Sequence, residues 1–374
     1  MKKNVVVIAS ALKPVTDPRM YEKIGMALVR RENHEVHLMG FCSRKHVRVP
    51  NMYFHELLCA NRLSWKRFTV SLKYYKKLLQ VRPDVVITNS PDLLIVTVIY
   101  KILFRPAFIY DIRENYYYNL VHGAAFPVFT RNMFAWFVRG VEWCTRPFAD
   151  GYLLAERCYA WELPFVKGKY GILENKYEPL TDVLVVPRRR GRFRLLYTGT
   201  IAESYGIYEA VALAKALHQV DARYSLTIIG YEARPAERQR LRESVADAPY
   251  IRLAGIDQPV PHGEIIRAIG EADLALAPYR TNRSFRDKIP TKFYEYVYHR
   301  IPLLIPQNAL WEAFCRPYRA ALVLDFFGFS PSLLSDQLQR STFYDSNNQY
   351  GDALFNLNIL ANTNTIIFSK KTPN

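Results

Sequence analysis

The chain has 374 residues, half of them hydrophobic and 23% charged, which excludes a disordered chain and suits two globular domains better than one. Lys and Arg number 51 against 34 Asp and Glu, a formal charge of +17. The partners to expect are therefore anionic: nucleic acid, an acidic membrane face or a phosphorylated small molecule. Five cysteines, odd in number and without C-x-x-C spacing, argue against a disulfide scaffold or zinc site and fit a reducing cytoplasm.

Strand and helix patterns alternate from the start. Asn4–Ala9 reads as a strand; its short β-branched run and the helical pattern after it argue against a signal peptide. Pro18–Arg31 reads as a helix with Asp17 as N-cap and Pro18 at the first helical position. Strands follow at Val36–Phe41, Asp84–Thr88, Ala107–Asp111, Gly151–Ala155 and Tyr170–Leu173, with helices at Leu93–Phe104 and Arg131–Arg146. Leu93–Phe104 is the longest apolar stretch beyond the N-terminus, yet it is too short to span a bilayer, which takes roughly 20 residues. The chain is therefore expected to be soluble or peripheral. Parallel strands separated by helices predict a sheet covered on both faces.

Residues 180–192, within a stretch holding Pro187 and the basic run Arg188–Arg190, read as a linker. The pattern then restarts. Strands are expected at Arg194–Thr198, Ser225–Ile229, Ile251–Leu253, Asp273–Ala277 and Pro302–Ile305. Helices are expected at Gly206–Leu217, Ala233–Val245, His262–Glu271 and Thr291–Arg300. The domains read as 1–179 and 193–340, both Rossmann-like and doubly wound. A tail, 341–374, has one candidate helix, Asp352–Leu360, able to pack back on the body. Two such units in tandem predict a ligand site in the cleft between them, beyond the carboxyl ends of the strands.

The most informative segment runs from Arg280 to Ile305. A basic loop with Arg280, Arg283, Arg286 and Lys288 leads through Pro290 into a helix, whose N-terminus offers free N–H groups and a positive dipole end to phosphate. Lys292 and Glu295 share a helix face: the cation suits a diphosphate, the carboxylate a ribose diol. Asp287, in the loop, can reach hydroxyls of whatever the diphosphate carries. The alternative is a surface helix with ordinary ion pairs. Glu295 weighs against it, because it sits among Phe293, Tyr294, Tyr296 and Val297, where a carboxylate without hydrogen bonds is unfavourable.

The segment resembles the donor motif of family-4 glycosyltransferases of the GT-B fold, in which two acidic residues are separated by seven others; Asp287 and Glu295 stand in those places. The form P-T-K-F-x-E-Y before an I-P-L strand is similar to a subgroup with P-T-K-L-F-E-Y. Asp17-Pro18-Arg19 with His34-Glu35-Val36, and Tyr110 through Asn115, resemble the family's acceptor domain. So do Ala149 through Glu156 and Leu173 through Lys176. Leu196 through Gly206 resembles the start of its donor domain.

The resemblance implies an α/β chain of GT-B type that moves a sugar, with retention, from a nucleoside-diphosphate sugar to a glycan or lipid-linked hydroxyl. It implies no cofactor and no metal; no D-x-D motif suggests one. Asp287, Glu295, Arg113 and Glu114 would sit at the reacting sugars, the last two having an ordinary ion pair as their alternative. Gly199, Thr200, Arg286, Lys288, Thr291, Lys292 and Glu295 would hold the donor. Asp at 287 departs from the family's Glu, and Thr200 and Tyr205 stand where many members carry Arg and Lys.

Other chemistry is scarce. No G-x-G-x-x-G or P-loop is present, and the eight histidines show no metal spacing; His34, His37 and His46 read as surface or strand-end residues. Asn89-Ser90-Pro91-Asp92 is a second loop able to line an acceptor pocket. Dispersed basic residues without a recognition module argue against nucleic acid. Arg62–Leu79 and Phe126–Trp143 mix aromatic and basic residues, suiting an anionic leaflet at the inner membrane face or their own domain's core. The alternatives are a sugar-nucleotide epimerase of the same fold and a non-catalytic binding subunit.

Overall fold

The structure is a computed structural model that describes residues 3–31, 33–43, 48–58, 68–122, 127–179, 193–232, 234–280 and 286–344. The chain forms two compact units that meet in sequence at Asn175 and Lys176. The expected linker 180–192 and the candidate helix Asp352–Leu360 lie outside the described residues.

The first unit holds seven strands: β1 Asn4–Pro14, β2 His34–Phe41, β3 Met52–Leu58, β4 Val85–Thr88, β5 Ala107–Ile112, β6 Gly151–Leu154 and β7 Tyr170–Ile172. They form one sheet in the order β3-β2-β1-β4-β5-β6-β7, and all pairs are parallel. The Val6–Ala9 run is buried throughout because the sheet is covered on both faces. Alternate residues feed opposite cores: Val6 and Ile8 pack with Met20, Ile24 and Leu28, while Val7 and Ala9 pack with Val70, Tyr74 and Leu78.

The second unit holds β8 Phe193–Thr200, β9 Tyr224–Tyr231, β10 Ile251–Ala254, β11 Leu274–Leu276, β12 Leu303–Ile305 and β13 Ala321–Val323. Their order is β10-β9-β8-β11-β12-β13, again all parallel. Leu195 and Tyr197 enter one core and Leu196 the other. In each unit the strand order reverses beside the first strand, at β1/β4 and at β8/β11, as in doubly wound α/β folds.

Several expectations shift. The first helix opens as a π-type segment, Arg19–Gly25, before an α-helical turn Met26–Val29. Asp17 nevertheless caps it, accepting from the Arg19 and Met20 amides at 3.0 and 3.1 Å. Strand β3 was not expected, because an edge strand with one exposed face lacks a continuous apolar run; Tyr53 on it is exposed. The helix Tyr116–His122 and the elements Ala309–Cys315, β13 and Pro331–Arg340 were also not expected. His37 is not a surface or strand-end residue: it lies buried within β2, its imidazole bonded to His55 and Glu35 at 2.8 and 2.9 Å.

The cysteine expectation is corrected in part. Cys42 is disulfide-bonded, to a partner outside the described residues. One pair is compatible with an odd count and no C-x-x-C spacing. Cys144, Cys158 and Cys315 are not in disulfides.

Candidate functional site

In the second unit, β8 and β9 end side by side, and Gly199 pairs in register with Gly230. A Cβ on Gly230 would lie 1.8 Å from the Gly199 carbonyl oxygen, so the two strand ends approach at a distance only glycine allows. Gly199 itself has φ +97°, a region other residues rarely adopt. Beyond these ends lies a cavity of about 400 Å³, lined by Gly199 and Thr200 from β8, Tyr231 from the end of β9, Glu232 and Arg234 after it, and Val260 after β10. Arg234 closes on Glu232 with its guanidinium at 3.2 Å.

The helix Thr291–Tyr298 meets the end of β8 from the other side. Its start follows Pro290, whose fixed φ suits entry into a helix. Tyr296 and Thr198 join hydroxyls at 2.7 Å. The Lys292 ammonium donates to the Thr198 carbonyl and lies 5.3 and 5.4 Å from the Tyr197 and Tyr279 ring centres. It occupies the space a Gly199 side chain would need: a Cβ there would be 2.9 Å away. Burial pulls the Lys292 pKa down to about 8, against the opposing attraction of Glu295. One turn on, Glu295 is buried and bonds His262 Nε2 at 3.0 Å.

The segment leading into this helix is held by its backbone. Asn308 donates to the Arg286 carbonyl at 3.0 Å, and Trp311 Nε1 donates to the Lys288 carbonyl at 2.7 Å. Asp287 and Arg286 form an exposed pair at 3.3 Å. Arg280 is drawn away from the helix start: it bridges Glu203 and Glu209 at 2.9 and 2.7 Å. Arg283 lies outside the described residues. Thr291 is exposed at the first helical position.

The sequence-based set is thus gathered in part. Gly199, Thr200 and Lys292 meet at the end of β8, with Glu295 a turn behind Lys292. Lys292 and Glu295 do not line the 400 Å³ cavity, which opens over β8, β9 and β10. Glu232, Arg234 and His262 were missed. Gly230-Tyr231-Glu232 offered a signal, since it closes β9 as Gly199-Thr200 closes β8. His262 offered none beyond its place at the start of the helix His262–Glu271.

In the first unit, Arg113 forks onto Asp17 at 2.7 and 3.0 Å. Glu114 accepts from Lys13 at 3.1 Å and from Asn119 at 2.8 Å. Lys13 and Arg113 both stabilise the charged Glu114 carboxylate, so its pKa is lowered in spite of burial. Arg19 and Asp111 pair in full burial below them. Asn89, at the end of β4, is completely buried. Among the described residues, no three His, Cys, Asp or Glu side chains are grouped to hold a metal ion.

No family model matches the chain, and no curated protein matches its sequence. Solved structures do match its fold. A sucrose-phosphate synthase from Thermosynechococcus elongatus aligns over 99% of both chains, with a TM-score of 0.69 and 14% identity. WaaG, a glycosyltransferase involved in lipopolysaccharide biosynthesis, aligns over 99% of this chain and 96% of its own, with a TM-score of 0.60 and 13% identity. A protein described as a UDP-N-acetylglucosamine 2-epimerase from Listeria monocytogenes aligns over 100% and 99%, with a TM-score of 0.57 and 11% identity. The chain therefore has the α/β fold of GT-B proteins. At such identities the likeness speaks for the fold alone, and the three differ in reaction.

Proposed function

We propose that this chain is a glycosyltransferase that takes a sugar from a nucleoside-diphosphate donor and passes it, with retention, to a hydroxyl of a glycan or lipid-linked acceptor. The observation that carries the reading is the buried Lys292 ammonium against Gly199 at the end of β8, with Glu295 one turn deeper and a 400 Å³ cavity beside it. Fixed positive charge and a helix N-terminus suit a leaving diphosphate. Glu295, with His262 as its resting partner, suits a ribose diol, and Arg234 adds a cation at the cavity wall. Arg286, Lys288 and Thr291 supply further donors at the helix start, and Asp287 suits the donor sugar. Arg113 and Glu114 suit the acceptor or transferred sugar.

In the step itself, the bond from the anomeric carbon to the diphosphate oxygen breaks as the acceptor oxygen bonds to that carbon on the same face. The acceptor proton passes to the leaving phosphate. The charge that develops there is met by Lys292 and the helix N-terminus. We assign no metal or cofactor to this step.

The experiment is a thermal-shift screen with UDP-, GDP-, ADP- and dTDP-sugars, in which a true donor raises the melting temperature by mass action. The binder is then incubated with and without acceptors. Acceptor-dependent release of nucleoside diphosphate supports transfer. An isomerised nucleotide sugar would make the chain an epimerase, in keeping with its fold's likeness to the Listeria protein. Binding without turnover would make it a non-catalytic subunit, and no shift with any donor would overturn the reading.

A further inference from the structure

Among the described residues, the exposed large apolar side chains fall mainly on the first unit. Three of its helices, Phe68–Val81, Leu94–Phe104 and Val128–Thr145, connect β3 to β4, β4 to β5 and β5 to β6. Each crossover steps the same way along the sheet, so right-handed connections place all three on one face. The middle helix touches both neighbours.

The middle helix has an inverted outer surface. Ile95, Ile99, Ile102 and Leu103, spaced as one stripe, are 51, 47, 58 and 60% exposed, where a helix on a globular protein normally turns polar groups to water. On one flank, Trp136 and Phe137 stand 65 and 67% exposed. On the other, Lys73 and Lys76 are exposed. The three helices contain a single carboxylate, Glu142, and it is buried.

We propose that this helical face rests on an anionic lipid surface. Aliphatic and aromatic side chains enter the boundary between headgroups and acyl chains, and the lysines meet acidic headgroups. Eleven residues of helix, Leu94–Phe104, span about 16 Å, about half of an apolar membrane core, so the face lies on a bilayer and does not cross it. A second copy is a poorer occupant. It would set Lys73 and Lys76 of both chains against faces that offer no exposed carboxylate. The proposal is independent of sugar transfer.

The test is flotation of the full chain with vesicles of phosphatidylcholine alone or mixed with phosphatidylglycerol. The expected result is binding to the mixed vesicles that weakens as salt is raised. The double variant Ile99→Glu/Trp136→Glu should bind at least about tenfold more weakly, given the apolar area it removes, with an unchanged melting temperature. The pair Lys73→Glu/Lys76→Glu should lose the preference for anionic over neutral vesicles. Absence of binding to mixed vesicles, or equal binding by both variants, would overturn the proposal. So would a concentration-dependent dimer that the apolar variant splits, because it would assign the face to a second copy.

Discussion

Arg19 and Asp111, 92 residues apart, meet in a two-pronged ion pair with donor distances of 2.6 to 3.1 Å, and both are almost completely buried. Arg19 extends further, donating to the Leu173 carbonyl at 2.6 Å and to Asn175 Oδ1 at 2.8 Å. One guanidinium thus ties the segment after β1 to β5 and to the chain leaving β7. Removing either partner strands a buried charge, which costs about 3–5 kcal/mol. Arg19→Met and Asp111→Asn should each lower the unfolding free energy of the first unit by that order, as read from urea denaturation. The double variant should be less destabilised than the sum of the two.

Lys292 gives a pH-dependent prediction. Its folded pKa of about 8 lies below the unfolded value of about 10.4, so the folded chain gives up this proton first. Stability contributed by this group therefore rises from about pH 8 to about pH 10, as the buried charge is relieved. Affinity for a nucleoside diphosphate should move the opposite way and fall over the same window as the cation is lost. Calorimetric titration at pH 7.5 and 9.5 checks this: the decline should be present in the wild type and absent from Lys292→Met, which should bind weakly at both.

Glu295 is assigned to the ribose, so its removal should distinguish ligands. Glu295→Ala should weaken nucleotide-sugar binding by about tenfold to a hundredfold, the range for lost hydrogen bonds to a charged group. Binding of inorganic diphosphate should stay unchanged. Equal loss for both ligands would place Glu295 in a purely supporting role.

Gly230→Ala tests the approach of β8 and β9. The new methyl would meet the Gly199 carbonyl oxygen at 1.8 Å, and backbone cannot move aside as a side-chain tip can. The substitution should destabilise the second unit by about 1–3 kcal/mol and weaken donor binding with it, as read by chemical denaturation and thermal shift.

Glu142 is held between Tyr110 and Arg139 at 2.9 and 3.1 Å, and burial raises its pKa to about 7 despite the opposing pull of Arg139. The folded state therefore keeps a proton that the unfolded chain releases near pH 4.3. The stability it contributes is present at low pH and lost as pH rises to about 7. The wild type should gain stability relative to Glu142→Gln as pH is lowered from 7.5 to 5.5, measured by urea denaturation at each pH.

Much of the fold could be read from the sequence, because strands buried on both faces leave uninterrupted runs such as Val5–Ala9 and Leu274–Ala277. The helix His262–Glu271 matched its expected bounds. Where a strand has one exposed face, as in β3, the run breaks and the pattern fades. The candidate site was legible where chemistry clusters along the chain, as at Lys292 and Glu295. His262 stands 33 residues before Glu295 in sequence and reaches it only through the winding of the sheet, and Glu232 joins the neighbouring cavity from beyond β9. The pairing of Arg280 with Glu203 and Glu209 was equally hidden, so part of the loop's positive charge is neutralised from outside it.

Thr198 takes the Lys292 ammonium on its carbonyl and the Tyr296 hydroxyl on its own, two residues one helical turn apart. The helix is therefore moored to the strand before any anion arrives. On the proposed reading, a diphosphate meets a preorganised end whose ordering entropy was spent in folding, and to reach this cation it displaces the Thr198 carbonyl from the lysine.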